Sequence, residues 1–330
     1  MPKSLPVAIC VLLSSVVSLT SAQETGQATR PMDLLKGTHR ILFLGDSITH
    51  QGQYVAMFDA WLQTLRLDKT PIVINAGLSS ETVSGLSEEG HAGGRFPRPD
   101  LAERLDRVLN ITRPDLVFAC YGINCGIYQP LDEDRFRAYR NGMEHLRDKV
   151  EAAGAALVQI TPPCYDDVRR PKDFSYNAVL DRYAGYLLEG REQGRLVVDL
   201  HRAMTTELAR RRESNPDFTF QRDAVHPDST GHWFMAGRII RWFGGDRAAD
   251  AESPQAMLEA SGIPADVYDL VVKRMAVRRN AYLSAAGHTR PGVPEGLPIE
   301  EAEKQAQELT EMINEQLRVR GAPTASSSAP

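Results

Sequence analysis

The sequence has few cysteines, and it lacks the spacings that metal and phosphate sites use. Only four of its 330 residues are cysteine. No Cys-x-x-Cys or His-Glu-x-x-His pattern occurs, so we expect no metal site. No glycine-rich turn is followed by Lys and then Ser or Thr, which excludes a phosphate-binding loop of the P-loop type. The Gly-x-Ser-x-Gly turn is absent as well, which disfavours the ordinary α/β-hydrolase fold.

Neither sign of charge dominates the chain. It carries 38 Lys and Arg against 43 Asp and Glu, which gives a net charge of −5. The basic residues are scattered rather than clustered, so we do not expect nucleic acid as a partner. Hydrophobic residues make up 42% of the chain, which is enough for one sizeable core and an accessory segment.

Long apolar runs are lacking except at the amino end. There, Lys3 precedes an apolar and small-residue stretch over residues 5–19, and residues 20–22 offer small side chains for cleavage. The stretch is short for a membrane span and serines interrupt it, so a cleaved signal peptide over residues 1–22 is favoured over a membrane anchor. The sequence therefore predicts a secreted or periplasmic protein with no stable membrane insertion after cleavage. Residues 23–36 are predicted to be a flexible lead-in.

Strand and helix patterns alternate from residue 40 onward. Short, nearly continuous apolar runs predict buried strands, and stretches with helical apolar spacing lie between them. This alternation is typical of an α/β fold with a parallel sheet. The predicted strands cover 40–44, 72–75, 116–120, 156–160 and 195–199, and the predicted helices cover 54–67, 99–110, 133–153, 176–192 and 231–243.

The carboxyl-terminal part of the chain has a different character. Two long helical patterns, over 264–286 and 298–318, predict a helical extension from residue 246 to 320. The last stretch, 321–330, is rich in Ala, Ser and Pro and is predicted to be disordered. Between the two helices lies a polar loop that contains Arg290. We expect this loop to lie at the mouth of an active-site cleft, although an ordinary turn is the simpler interpretation.

A serine follows the first predicted strand in a position suited to chemistry. The apolar run over 41–44 leads into Gly45, Asp46 and Ser47, and the carboxyl ends of parallel strands are where α/β proteins place their active sites. A serine hydroxyl needs a base, and the base needs a carboxylate that orients it. Asp223 and His226 are three residues apart late in the chain and can supply both groups.

Four short motifs, in this order, resemble the conserved blocks of the SGNH, or GDSL-type, serine hydrolases. They are Gly45-Asp46-Ser47, Asn75-Ala76-Gly77, Gly122-Ile123-Asn124 and the pair Asp223 and His226. The resemblance covers roughly residues 37–245 and implies a flavodoxin-like three-layer α/β/α fold with a central parallel sheet. It also implies an acyl-enzyme mechanism without a cofactor, in which Ser47 is the nucleophile, His226 the base and Asp223 its orienting partner. The backbone N–H groups of Ser47 and Gly77 and the side-chain amide of Asn124 would form the oxyanion hole.

One position departs from the family pattern. The third block usually ends in Asp, whereas this chain has Cys125 there. Cys164 follows the next predicted strand, so the two cysteines should lie on neighbouring loops in an oxidising compartment. We therefore predict a Cys125–Cys164 disulfide, with Cys120 as a small buried strand residue. Three free thiols are the alternative.

The long segment over residues 79–98 is charged and glycine-rich, which favours a polar substrate. Asp46, Glu81, His91 and Arg290 are the candidate substrate-binding residues. The sequence as a whole predicts an exported esterase that removes short acyl groups, such as acetyl, from a carbohydrate or another small polar alcohol. A lipase, lysophospholipase or thioesterase of the same family is one alternative, and a non-catalytic glycan-binding or structural module is another. The oligomeric state stays open.

Overall fold

The structure is a computed structural model, and it describes Met1, residues 31–65 and residues 67–320. The predicted signal peptide beyond Met1, residues 23–30 of the lead-in and the tail over 321–330 lie outside the described residues. Residues Pro31–Leu35, which we expected in the flexible lead-in, form a 3-10 helix whose Leu35 is buried against the core.

A five-stranded parallel sheet forms the centre of the molecule, with strand order β2-β1-β3-β4-β5. This is the predicted flavodoxin-like order, with helices on both sides of the sheet. The core side chains of the strands are almost fully buried, as short and continuous apolar runs require. The strands are β1 (Arg40–Gly45), β2 (Ile72–Asn75), β3 (Leu116–Cys120), β4 (Ala156–Ile160) and β5 (Leu196–Val198).

The helices lie close to their predicted positions. In chain order, the described helices are α1 (Ser47–Gln51), α2 (Gln53–Leu62), α3 (His91–Gly94), α4 (Leu101–Thr112), α5 (Glu133–Ala152), α6 (Tyr176–Glu189), α7 (His201–Ser214), α8 (Ser229–Trp242), α9 (Asp246–Ala249), α10 (Pro254–Ala260), α11 (Ala265–Ala286) and α12 (Ile299–Val319). Helix α2 ends five residues earlier than predicted. Leu65 continues its apolar spacing, but Leu65 and the nearby Leu67 pack against the core from outside the helix.

The sequence did not reveal helix α7. Its surface is dominated by charged side chains, and only Met204 and Leu208 provide apolar contacts one turn apart. The apolar periodicity that identifies a helix is therefore weak here. The N-cap residue of α7, Leu200, has no side chain that could cap it. The N–H of Arg202 donates to the Asp199 carboxylate at 3.2 Å instead, and that of His201 donates to the Thr161 hydroxyl at 2.8 Å.

Helices α11 and α12 form a hairpin that is joined to the sheet domain by polar contacts, of which one is a buried ion pair. Arg274 on α11 donates two hydrogen bonds of 2.9 Å to the carboxylate of Asp59 on α2, and both side chains are almost fully buried. Arg107 on α4 donates to the carbonyl of Ala286 at 2.5 Å. The predicted extension is therefore helical and packs directly on the sheet domain.

The predicted disulfide is wrong: Cys120, Cys125 and Cys164 are all free and buried. Two of the three thiols have polar partners. The Cys125 thiol hydrogen-bonds to the backbone near Val83, and the Cys164 thiol lies 3.7 Å from the side-chain oxygen of Gln221. Burial raises the pKa of Cys125 to about 11 and that of Cys164 to about 12. The Cys125 and Cys164 side chains thus contact different groups and do not bond to each other.

Helix α8 carries a histidine that is buried in its neutral form. His232 stacks on Tyr54 with ring centroids 6.0 Å apart, and its Nε2 lies 3.0 Å from the side-chain oxygen of Gln51. Burial, with a smaller contribution from the nearby His226, lowers the pKa of His232 to about 3. The folded state therefore resists protonation at this position.

We expect His232 to weaken the fold as the pH falls. Its folded pKa lies below the unfolded value of about 6.5, so below that pH the unfolded state binds the extra proton and gains stability. Between pH 7 and pH 5, the stability advantage of the wild type over His232→Leu should shrink by about 2 kcal/mol. Urea unfolding of both proteins at several pH values measures this difference, and parallel pH curves would contradict the prediction.

In the part of the chain that the structure describes, no helix combines the length and the apolar character that a membrane crossing requires.

Candidate active site

The first strand delivers Ser47 to the carboxyl edge of the sheet through a tight turn. A Cβ atom at Gly45 would lie 2.1 Å from the Thr49 hydroxyl and 2.9 Å from the Cys120 carbonyl, so this turn requires glycine. Asp46 then caps helix α1 by accepting a hydrogen bond of 2.9 Å from the N–H of Ile48. Ser47 is the first residue of that helix, with its side chain facing the cleft.

Ser47, His226 and Asp223 form a continuous hydrogen-bonded chain. Ser47 Oγ lies 2.8 Å from His226 Nε2, and His226 Nδ1 lies 2.6 Å from Asp223 Oδ2. These are the contacts expected from the sequence. The arrangement lets the imidazole accept the serine proton while the carboxylate fixes its tautomer.

Asp223 is held by its own turn as well as by the imidazole. Its Oδ1 accepts the backbone N–H groups of Val225 and His226 at 3.0 and 2.8 Å. Ala224, which lies between Asp223 and Val225, has a φ of 74°, a conformation that non-glycine residues rarely adopt. Partial burial alone would raise the pKa of Asp223, but the hydrogen bonds from His226 and Val225 hold it below its usual value. The carboxylate is therefore ionised when the imidazole needs it.

The structure corrects the assignment of Gly77 to the oxyanion hole. Its backbone N–H donates to the side-chain oxygen of Asn75 at 2.9 Å, and Gly77 does not line the cleft. A Cβ atom at Gly77 would lie 2.5 Å from the backbone nitrogen of His50, so glycine is required by close packing. Gly77 shapes the turn, and its N–H is already committed.

Ser80 is a better candidate that the sequence motifs did not single out. It lines the same cleft as Ser47, and its φ is 71°. Within the described residues its N–H donates to no acceptor, whereas its carbonyl accepts a hydrogen bond from Arg98 at 3.3 Å. A fixed carbonyl and a free N–H in an unusual backbone conformation are typical of a functional turn. The positive φ is a property of the folded backbone, and a serine in the sequence does not indicate it.

Asn124 lies at the cleft, but part of its hydrogen-bonding capacity is already used. Its Nδ2 donates to the Glu81 carbonyl at 3.2 Å, and its Oδ1 accepts from the Tyr128 hydroxyl at 2.9 Å. These two contacts fix which end of the amide is the donor. The amide nitrogen carries two protons, so one remains for a substrate oxygen.

Two of the predicted substrate-binding residues are buried structural groups. The Glu81 side chain is 0% exposed and pairs with Arg104 at 2.6 and 2.7 Å, while the Tyr121 hydroxyl donates to it at 2.6 Å. Asp46 is 2% exposed and serves as the cap of α1, and burial raises its pKa to about 6. Neither carboxylate lines the cleft, so the prediction that they contact substrate is corrected.

The other two predicted binding residues do line the cleft. His91 lies there with its Nδ1 3.0 Å from the Glu88 carboxylate, and Arg290 reaches it from the loop between α11 and α12. The cleft has a volume of about 630 Å³ and is open to solvent. Its lining is mostly polar: Ser47, Ser79, Ser80, Glu88, Glu89, His91, Arg98, Asn124, Ile127, Tyr128, Gln129, Tyr165, Arg170, Lys172, Asp223, Val225, His226 and Arg290.

Metal ligands are not assembled in the part of the chain described here: no group of three or more His, Cys, Asp or Glu side chains is placed to hold an ion. The chemistry available at the cleft is that of a serine nucleophile, a histidine base and polar donors. Such a set is suited to acyl transfer.

Comparison with known families and structures agrees with this geometry. The model of the GDSL-like lipase/acylhydrolase family matches residues 43–234, a segment that includes Ser47, Asp223 and His226. A comparison with curated proteins found no match.

The chain is also similar to several solved structures. A gut microbial diltiazem-metabolizing enzyme is 22% identical with a TM-score of 0.52, and the match covers 62% of this chain and 47% of that one. The chain thus spans about half of that enzyme. A catalytic mutant of an acetylxylan esterase from Geobacillus stearothermophilus is 21% identical with a TM-score of 0.48, covering 62% and 94% of the two chains. A lipase/acylhydrolase from Enterococcus faecalis is 24% identical with a TM-score of 0.46, covering 62% and 96%.

Proposed function

Because this chain belongs to the GDSL-like lipase/acylhydrolase family, we propose that it is an exported serine esterase that hydrolyses ester bonds. Its proposed substrate is a short acyl ester, such as an acetyl ester, of a carbohydrate or another small polar alcohol. The observation that carries the proposal is the 2.8 Å contact between Ser47 Oγ and His226 Nε2 in an open, polar cleft.

The proposed reaction has two halves. His226 Nε2 removes the proton from Ser47 Oγ as that oxygen bonds to the ester carbon, and the carbonyl oxygen becomes an oxyanion. When the carbon–oxygen bond to the alcohol breaks, His226 returns the proton to the departing alkoxide and an acyl-enzyme remains. Water then gives a proton to His226, attacks the acyl carbon and releases the acid, while Ser47 Oγ recovers its proton. Asp223 stabilises the imidazolium in both halves.

The exposure and lining of the cleft support a polar substrate. The side chains of Asp223 and His226 are 57% and 44% exposed, so substrate reacts at an open surface and not in a deep apolar tunnel. A fatty acyl chain needs apolar area to bury. Polar and charged groups dominate the lining, with few aliphatic side chains such as Ile127 and Val225.

A substrate panel tests the proposal. Acetylated sugars and p-nitrophenyl esters of increasing acyl length are given to the wild type and to Ser47→Ala, and a fluorophosphonate label reports whether Ser47 is nucleophilic. We expect short acyl esters to be cleaved fastest and the label to react only with the wild type. A preference for long acyl chains would favour the lipase or lysophospholipase alternative, and a preference for thioesters would favour a thioesterase. An unlabelled, inactive wild type would favour a non-catalytic module.

The oxyanion is expected to depend strongly on Asn124. Its remaining amide proton acts mainly on the charge that develops in the transition state, so Asn124→Ala should lower kcat by about 10²–10³ with little change in KM. Steady-state kinetics on the best ester measures both constants. A wild-type kcat in this variant would remove Asn124 from the oxyanion hole.

Ser80 offers a matched pair of variants for the second donor. Glycine adopts a positive φ readily, so Ser80→Gly should keep the N–H in place and retain kcat within about threefold. Proline has no N–H and cannot adopt this φ, so Ser80→Pro should lose activity by about 10² or more. Equal loss in both variants would assign the effect to the serine hydroxyl.

Export is proposed from the amino-terminal sequence alone. Lys3 and the apolar stretch over residues 5–19 have the pattern of a signal peptide. Amino-terminal sequencing of the protein recovered from the medium or the periplasm tests this, and the expected mature chain begins at Gln23. A chain that keeps Met1 and stays in the cytosol would contradict it.

A further inference from the structure

The charges that line the cleft are unevenly paired. Carboxylates there belong to Glu88, Glu89 and Asp223, and fixed cations belong to four other residues. Two of the three carboxylates already have partners. Glu88 holds Arg98 through bonds of 2.6 and 2.7 Å, and Asp223 is committed to His226. The Glu88–Arg98 pair carries no net charge, whereas Asp223 keeps one negative charge beside the neutral imidazole base.

Three cations remain unpaired. Arg170 and Lys172 come from the loop between β4 and α6 and are exposed to solvent, and Arg290 comes from the helical hairpin. None of the three forms an ion pair with any described residue. Glu89 is the remaining unpaired carboxylate in the lining. The three cations outnumber the negative charges of Glu89 and Asp223, so the charges of the cleft sum to a positive value.

Arg290 is held in place without being neutralised. Its guanidinium lies over the ring of Phe96, 5.0 Å from the ring centroid, and donates to the Pro291 carbonyl. Its Nε is buried and has no partner among the described residues. Stacking restrains the side chain while leaving its charge unpaired, and such an arginine is preorganised for a planar anion.

We propose that this cleft selects esters whose alcohol part carries an acidic group, such as an O-acetylated uronic acid. The proposal rests on the esterase function given above and names its substrate class. The ester carbonyl lies at Ser47, and the carboxylate of the sugar acid pairs with Arg290, with Arg170 and Lys172 adding attraction across the open cleft. A carboxylate matches the guanidinium fork, and unpaired charges in a cleft raise the local concentration of an opposite charge.

The test compares two esters that differ only in charge. O-acetylated methyl glucoside is neutral, and O-acetylated methyl glucuronide with a free carboxylate is anionic. For the wild type we expect kcat/KM for the anionic ester to exceed that for the neutral ester by about tenfold at low salt. Raising the ionic strength should reduce this preference, since exposed charges are screened. A ratio of one or less at low salt would overturn the proposal.

Variants then assign the effect to residues. Arg290→Ala should lower kcat/KM about tenfold for the anionic ester and less than twofold for the neutral one, and Arg170→Ala with Lys172→Ala should act in the same direction. Lys304→Ala removes an exposed charge on α12 outside the cleft lining and is the matched control. Equal losses on both esters in Arg290→Ala would overturn the assignment. If neither ester is cleaved and Ser47 is not labelled, the proposed function itself fails, which is a separate outcome.

Discussion

Replacing Ser47 with alanine should reduce kcat by about 10⁵ while leaving the fold intact. The hydroxyl is the atom that attacks, and its loss removes the acyl-enzyme route altogether. The residual rate should come from the oxyanion donors and from substrate binding alone. Steady-state hydrolysis of the best ester measures kcat, and circular dichroism with urea unfolding checks that the fold is preserved.

The controls for this prediction use the hydrogen-bonded chain itself. His226→Ala should cost about as much as Ser47→Ala, and the double variant should be no worse than either, because the residues act as one unit. Ser214 lies at the end of α7 and does not line the cleft, so Ser214→Ala should keep wild-type kcat. If Ser47→Ala retained more than about 1% of the wild-type rate, a different nucleophile would have to be sought.

Removing Arg104 should cost about 3–5 kcal/mol of unfolding free energy, since it leaves a buried carboxylate without its partner. Arg104 and Glu81 have side chains that are 1% and 0% exposed, and they meet in a bidentate pair. Burial raises the pKa of Glu81, and the guanidinium opposes that rise. In Arg104→Met the Glu81 carboxylate must either stay charged in the core without its partner or take up a proton. Urea unfolding at pH 7 measures the loss.

A double variant separates the unpaired charge from the loss of packing. Arg104→Met combined with Glu81→Leu removes both charges and should recover much of the stability lost in the single variant. The exposed pair of Lys149 and Asp106, at 2.8 Å, is the matched control, and Lys149→Ala should change stability by about 1 kcal/mol or less. A double variant as unstable as Arg104→Met alone would mean that packing of the arginine stem carries the effect.

The sheet and the nucleophile could be predicted because their signals are local in the sequence. Each buried strand is a short apolar run, and the turn after β1 needs a glycine that the sequence displays at Gly45. Asp223 and His226 are close in sequence and share one turn, so their contact needs no long-range information. The alternation of strands and helices predicts a parallel sheet, and the strand order follows from the family resemblance.

The remaining features depend on contacts between distant segments. Glu81 looked like a cleft residue because its loop is polar, but its partner Arg104 lies 23 positions away on α4 and draws it into the core. Ser80 has a left-handed backbone conformation, which cannot be predicted from a serine in the sequence. The two cysteines lie on neighbouring loops, as predicted, but the directions of their side chains depend on packing against Val83 and Gln221.

The ion pair between Asp59 and Arg274 has a consequence for how the chain is made. The two residues are 215 positions apart, so at about 5–20 residues per second Asp59 is synthesised roughly 10–40 s before Arg274. By the end of that interval the sheet domain is complete in sequence, yet its α2 surface still presents the Asp59 carboxylate, which is buried in the folded protein. Helix α2 can therefore reach its final packing only after the last quarter of the chain has been synthesised.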